Sequence, residues 1–238
     1  HSQLEAEGAC FGEASGWERA NWFLPKAAKD AGKKAEYDYS WRRQNWFEYS
    51  AAEHMAVRQK VGMFDMSSFG KIKLIGRDAE AVLQRIAAND VAVPVGKIVY
   101  TQFLNSEGHI EADVTITRLG ADEFLIVTPA ATIRRDLHWI NGHIPDSSHA
   151  IAVDISVSES VFVVMGPDAR SFLQPLIPQS LENKDFPFGT MQPIEIGHAI
   201  ARAHRVSYVG ELGWELYVSA DMSAHVFETI AARRKDHP

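Results

Sequence analysis

The chain has 238 residues, 46% hydrophobic and 23% charged, an ordinary globular composition long enough for one large domain or two small ones. A net charge of −7, with no basic stripe beyond short runs such as residues 233–235, argues against a nucleic-acid partner. No window approaches the roughly 18 consecutive apolar residues of a membrane span, and the polar residues 1–8 lack the apolar stretch of a signal peptide. The single cysteine, Cys10, allows no internal disulfide and fits a reducing compartment, cytoplasmic or, in a eukaryote, the mitochondrial matrix.

Residues 1–50 are dense in aromatics, from Trp17, Trp22 and Phe23 to Tyr37, Tyr39, Trp41, Trp46, Phe47 and Tyr49, with a lysine-rich patch at 26–34 between them. Flexible polar tails rarely carry so many rings. The segment reads as an extended arm with little periodicity. It either docks on another surface or wraps its own domain.

From residue 51 the pattern is regular. Residues 52–61 read as a helix with Met55, Ala56 and Val61 on one stripe and Gly62 as C-cap. A strand at 71–75 and a helix at 79–87 follow, the latter with Ala79, Val82, Leu83 and Ile86 at helical spacing. Strands at 99–104 and 110–118 flank Asn105-Ser106-Glu107-Gly108, a hairpin turn by composition. A strand at 124–128 and a helix at 132–140 complete this α+β unit. A similar succession then recurs: strands at 151–157 and 161–165, a helix at 168–176, paired strands over 194–207, a strand at 214–218 and a helix at 224–232. The fold class is therefore α+β, with two related α/β subdomains around a shared centre, although no clear repeat is visible residue by residue.

Two segments carry candidate chemistry. In strand 110–118, Ile110, Ala112, Val114 and Ile116 point one way and Glu111, Asp113, Thr115 and Thr117 the other. The polar face suits a solvated surface, the better reading from pattern alone, or a cavity wall where a carboxylate orients or deprotonates an amine. In residues 205–215, Gly210 and Gly213 permit a tight turn close to a ligand. Tyr208 and Trp214 offer rings for stacking, and Glu211 and Glu215 lie nearby. A carboxylate there suits the paired donors of a pterin edge; a glycine turn with a core Trp and solvated glutamates is the alternative. The scattered histidines lack zinc-site spacing, which makes a metal improbable. No phosphate loop or nucleophile elbow is present, and Cys10 has no local base.

Together these blocks resemble the aminomethyltransferase (glycine cleavage T-protein) folate-binding family. The resemblance rests on Val61-Gly62-Met63-Phe64-Asp65-Met66-Ser67 with Gly70-Lys71, on Asn89-Asp90-Val91 with Gly96 and Tyr100, on Gly108-His109-Ile110-Glu111-Ala112-Asp113, and on Tyr208 to Glu215. It implies Asp113 as the catalytic aspartate and Tyr100, Tyr208 and Glu215 as folate-binding residues, with Glu215 holding the pterin. The first of the T-protein's usual paired acids is replaced by Ala112. The arm, with Gly8-Ala9-Cys10-Phe11-Gly12-Glu13 and Gly16-Trp17-Glu18-Arg19-Ala20-Asn21-Trp22-Phe23, resembles the join in dimethylglycine and sarcosine dehydrogenases. There a flavin-binding, amine-oxidising half precedes the folate half.

The resemblance implies an arm at 1–50 that ends a flavoprotein domain, a folate-binding domain at 51–238, and FAD only in an upstream domain outside this chain. A C-terminal β-rich domain is expected in the family and reads as missing here, so weakened folate binding is expected of the chain alone. The implied activity is capture of a methylene unit from a methylated glycine-type amine, dimethylglycine or sarcosine, onto tetrahydrofolate. The implied partners are folate, the amine, and a flavoprotein domain or subunit, with neither nucleic acid nor membrane. A non-catalytic regulator on the same scaffold, like the regulatory subunit of pyruvate dehydrogenase phosphatase, and a folate-dependent demethylase of another methyl donor are the alternatives.

Overall fold

A computed structural model of the chain describes residues 1–234, so Lys235 of the short basic run lies outside the described residues. Its first feature corrects the expectation of an extended arm. Ala9–Ala14 (β1) and Trp17–Phe23 (β2) form an antiparallel hairpin, between the short helices Ser2–Ala6 (α1) and Lys26–Asp30 (α2). Ser15 and Gly16 both take positive φ in its two-residue turn, as a twisted hairpin requires. Cys10, Trp22 and Leu24 are buried, and Tyr37, Trp46 and Tyr49 close over them. Trp22 stacks on Tyr49 with ring centroids 5.6 Å apart. Most of the arm's aromatics thus fold onto the chain itself, while Tyr39, Trp41 and Phe47 stay exposed.

The helix expected at 52–61 runs over Phe47–Gln59 (α3), and Val57 is its one buried residue; Met55 is exposed. Gly62 is not its C-cap but the first residue of a strand, Gly62–Asp65 (β3). A Cβ at position 62 would lie 2.5 Å from the Val57 side chain, so the glycine answers packing between helix and strand.

Two five-stranded antiparallel sheets follow. The first contains Gly70–Ile75 (β4), Ile98–Leu104 (β5), Ile110–Gly120 (β6), Glu123–Thr128 (β7) and Ile151–Asp154 (β8), with Ala79–Ile86 (α4) and Ile133–Gly142 (α5) on its outer face. The second is built from β3 with Glu159–Met165 (β9), Met191–Ile196 (β10), Ala199–His204 (β11) and Gly213–Ser219 (β12), and carries Ala169–Leu173 (α6) and Ser223–Arg233 (α7). Their strand orders are β5-β6-β7-β4-β8 and β10-β11-β12-β9-β3.

The two orders match position by position, and the match exposes an exchange. β3 leads into the first unit yet pairs with β9 in the second sheet; β8 leads into the second unit yet pairs with β4 in the first. The joints are alike. Gly76-Arg77-Asp78-Ala79 follows β4 and Gly166-Pro167-Asp168-Ala169 follows β9. Gly76 and Gly166 have φ of +132° and +139°, and a Cβ on either would sit 2.1 or 2.3 Å from the carbonyl oxygen of His149 or Lys60. Only glycine lets the chain pass there. The Asp78 and Asp168 amides donate to those same two carbonyls, at 3.3 and 2.9 Å.

The inner faces of the sheets meet through Leu125 and Val127 of β7, Val161, Val163 and Met165 of β9, and Tyr217 of β12. Lys71 of β4 is buried nearby and its ammonium donates to the carbonyls of Ser67 and Phe69 at 2.8 and 3.0 Å. Burial lowers its pKa to about 8 against the pull of Glu159, Asp154 and Asp65.

Candidate functional site

The alternation expected in β6 is present. Ala112, Val114 and Ile116 enter the core of the first sheet, and Asp113 lies on the opposite face. Ile110, at the strand's start, is exposed, because the β5–β6 register shifts between Phe103 and Leu104. Ala112 faces the core, so its identity leaves the polar face unchanged.

Across the ladder from β6, Tyr100 and Gln102 of β5 share that face. The Tyr100 hydroxyl donates to one oxygen of Asp113 at 3.0 Å, and the Gln102 amide donates to the other at 2.9 Å. Asn89 fixes the strand behind them, its side chain donating to the Tyr100 carbonyl at 2.7 Å. Tyr100 remains 60% exposed, and the hydrogen bond to Asp113 raises its pKa. Asp113 is thus oriented from both sides yet open to solvent.

Four residues further along β6, Thr117 is buried and its hydroxyl lies 3.4 Å from Nδ1 of His204 on β11. This contact shows that the polar face of β6 looks toward the second sheet. Glu215 is the register partner of His204. It is only 8% exposed, and one of its oxygens accepts from the Tyr217 hydroxyl at 2.8 Å. Burial raises the Glu215 pKa, and burial followed by the Glu215 charge raises that of Tyr217 well above the usual phenol range. The His204 ring is tilted onto that of Tyr217, 4.3 Å between centroids. Burial first, then the Arg202 charge, lowers the His204 pKa to about 3, so the ring is neutral.

Asp113 and Glu215 therefore lie on the faces of the two sheets that meet at Thr117 and His204, Asp113 exposed and Glu215 buried. Four residues of strand separate Asp113 from Thr117, about 13 Å.

Tyr208 stands apart, 87% exposed on the segment joining β11 to β12. Among the described residues no contact ties it to Asp113 or Glu215. The same segment lines a cavity of about 490 Å³ with Phe188, Arg205, Ser207 and Glu211. Trp214 is not available for stacking on a ligand: it is fully buried in the second core, edge-on to Phe186 and under the Arg205 guanidinium. Gly213 serves packing, since a Cβ there would meet the Val164 carbonyl at 2.3 Å. Glu211 is paired with Arg58 of α3 at 2.5 Å. Gln102, His204 and Tyr217 were not singled out by sequence reasoning. The available signal was period two, since Gln102 lies two residues beyond Tyr100 and Tyr217 two beyond Glu215.

Among the described residues no group of three or more His, Cys, Asp or Glu side chains is placed to hold a metal ion, and no helix is long and apolar enough to cross a membrane.

The comparisons with known proteins agree with this architecture. The GCVT N-terminal domain family model matches residues 1–237. A 4-methylaminobutanoate oxidase (formaldehyde-forming) of Paenarthrobacter nicotinovorans is 41% identical over 230 residues, 97% of this chain and 27% of the relative. Human mitochondrial sarcosine dehydrogenase is 31% identical over 270 aligned residues, 100% of this chain and 29% of the relative. The chain thus spans less than a third of the length of these relatives. In fold it matches the crystal structure of glycine cleavage system aminomethyltransferase T from Bartonella henselae, with a TM-score of 0.75 at 20% identity, over 98% of this chain and 56% of that one. The chain belongs to the GCVT aminomethyltransferase domain family.

Proposed function

We propose that this chain carries out tetrahydrofolate-dependent one-carbon transfer, taking a methylene or methyl unit from a methylated glycine-type amine such as dimethylglycine or sarcosine. The observation that carries the reading is a pair of carboxylates, Asp113 oriented by Tyr100 and Gln102 and Glu215 buried under Tyr217, on the sheet faces that meet at Thr117 and His204. Glu215 fits a pterin. It is buried with a single neutral donor, the Tyr217 hydroxyl, among the described residues. Removal of a carboxylate from water without a cation is costly unless further donors reach it, and the pterin's adjacent N–H groups supply them.

Bound tetrahydrofolate would supply two nitrogens that accept the one-carbon unit. Asp113, held by Tyr100 and Gln102, would orient a folate amine and take or relay its proton. Tyr208 offers a free ring for stacking. Juxtaposing acceptor and donor makes the encounter effectively intramolecular, worth several kcal/mol of barrier. In the same reading, residues 1–50 belong with a flavoprotein part that binds FAD and oxidises the amine, and residues 51–238 with the folate part. The exposed Tyr39 and Trp41 support a contact surface there, as do the names of the dehydrogenase and oxidase relatives.

Calorimetric titration with a stable reduced folate tests the proposal. Glu215→Ala is expected to weaken binding about tenfold or more, from loss of a charge-assisted hydrogen bond. Asp113→Asn is expected to slow transfer about 100-fold or more while folate affinity stays nearly unchanged. Equal loss of rate and affinity in Asp113→Asn would overturn its role. Absence of folate binding by the full-length protein would favour a non-catalytic regulator.

A further inference from the structure

The inner faces of the two sheets bury more polar chemistry than a pterin anchor alone requires. Tyr217 is 2% exposed and packed against Leu125, Val127, Val161, Val163 and Met165, an apolar setting in which a phenol without a hydrogen-bond partner is costly. Its hydroxyl is spent on Glu215 at 2.8 Å. Its ring is fixed by His204, whose Nδ1 faces Thr117 of the other sheet and whose buried Nε2 has no partner.

The charged and titratable groups around this pair come from several strands. β11 contributes His204 and Arg202, the latter opposite Tyr217 in the ladder; β9 contributes Glu159, which pairs with Arg202 at 2.5 Å. β4 contributes Lys71, whose charge is coupled to Glu159. β6 contributes the uncharged Thr117, and the β7 side chains packed on the Tyr217 ring are apolar. No cation among the described residues pairs with Glu215. The Tyr217 hydroxyl is therefore the group that fixes its geometry.

Resting on the folate reading of the same site, we propose that Tyr217 is the positioning residue of Glu215: its hydroxyl occupies one carboxylate oxygen and so leaves the other as the acceptor for a ligand's N–H donors, while the His204 ring holds the tyrosine ring in register. Tyr217 itself touches no ligand in this scheme. A donor to the charged form of a carboxylate also opposes the effect of burial, which otherwise favours the neutral acid. An acid already protonated would offer the ligand a donor where an acceptor is needed.

The test reads Glu215 directly and needs no ligand. The carboxyl carbon of Glu215, assigned by its disappearance in Glu215→Gln, is titrated by NMR in the chain and in Tyr217→Phe. Tyr217→Phe keeps the ring and removes only the hydroxyl. Its loss is expected to move Glu215 ionisation upward by about one pH unit or more. Unchanged ionisation in a folded variant overturns the proposal, because a purely space-filling tyrosine predicts that result. Should Tyr217→Phe not fold, replacement of tyrosine by 3-fluorotyrosine, a stronger donor of similar size, is expected to move Glu215 ionisation downward. No movement there overturns the proposal equally. Failure of the full-length protein to bind reduced folate would sink the pterin reading and leave this result standing.

Discussion

His204 departs far from the ordinary behaviour of a histidine, and the departure bears on stability. A histidine in the unfolded chain ionises near 6.5, whereas in the fold burial and Arg202 hold this one at about 3. Between those values the unfolded state binds the proton and the folded state does not. Its contribution is therefore fully present above about pH 6.5 and is lost as pH falls toward 3. At pH 5 the loss is roughly 2 kcal/mol, and complete protonation corresponds to roughly 4–5 kcal/mol. Glu215 works in the opposite sense, since its raised pKa lets the folded state take a proton early as pH falls. Comparison with His204→Gln cancels that background. Urea denaturation at pH 7.5 and pH 5 is expected to show the wild-type protein losing about 2 kcal/mol more than His204→Gln. Parallel losses would mean that the buried ring does not resist protonation.

At the scale of elements, some of the structure was legible because it obeys local periods and some was not because it depends on distant partners. Period two along β6 separates Asp113 from the Ala112, Val114 and Ile116 core face, and the ladder confirms it. The arm hairpin leaves little trace in the sequence because a register shift between Cys10 and Phe11 breaks its alternation, and its turn is only Ser15-Gly16. The reading of Gly62 as a cap failed because helix ends and tight helix–strand contacts select the same residue. The exchanged strands were invisible, since β3 finds its partner β9 about a hundred residues away and a four-residue Gly-x-Asp-Ala repeat is too short to notice. That repeat nonetheless makes a sharp prediction. Gly166→Ala forces a Cβ to 2.3 Å from the Lys60 carbonyl in a backbone region suited to glycine, whereas Gly210, with φ +84°, has nothing within 4 Å. Gly210→Ala is expected to cost about 1 kcal/mol, from left-handed strain alone. Gly166→Ala is expected to cost about 3 kcal/mol or more, since the backbone itself must move. Equal costs by chemical denaturation would show that the joint relaxes freely.

For the molecule as a whole, the exchange of β3 and β8 means that neither sheet is complete within one continuous half of the chain. Each unit's edge belongs to the other's sequence, and the shared face of Leu125, Val127, Val161, Val163, Met165 and Tyr217 binds the sheets together. Such an arrangement predicts one cooperative unfolding transition from β3 to α7 rather than two. Leu125 tests it, because the residue sits on β7 of the first sheet yet packs against strands of the second. Leu125→Ala removes a fully buried side chain and is expected to cost about 2–5 kcal/mol. Under native-state hydrogen exchange, the most protected amides of β4 and β7 and those of β9 and β12 should lose protection by the same amount, because all of them exchange through the same global opening. If only the first sheet lost protection, the two units would be independent domains held side by side. The geometry linking Asp113 to Glu215 would then rest on their docking, whereas a common loss makes that geometry a property of the single folded unit.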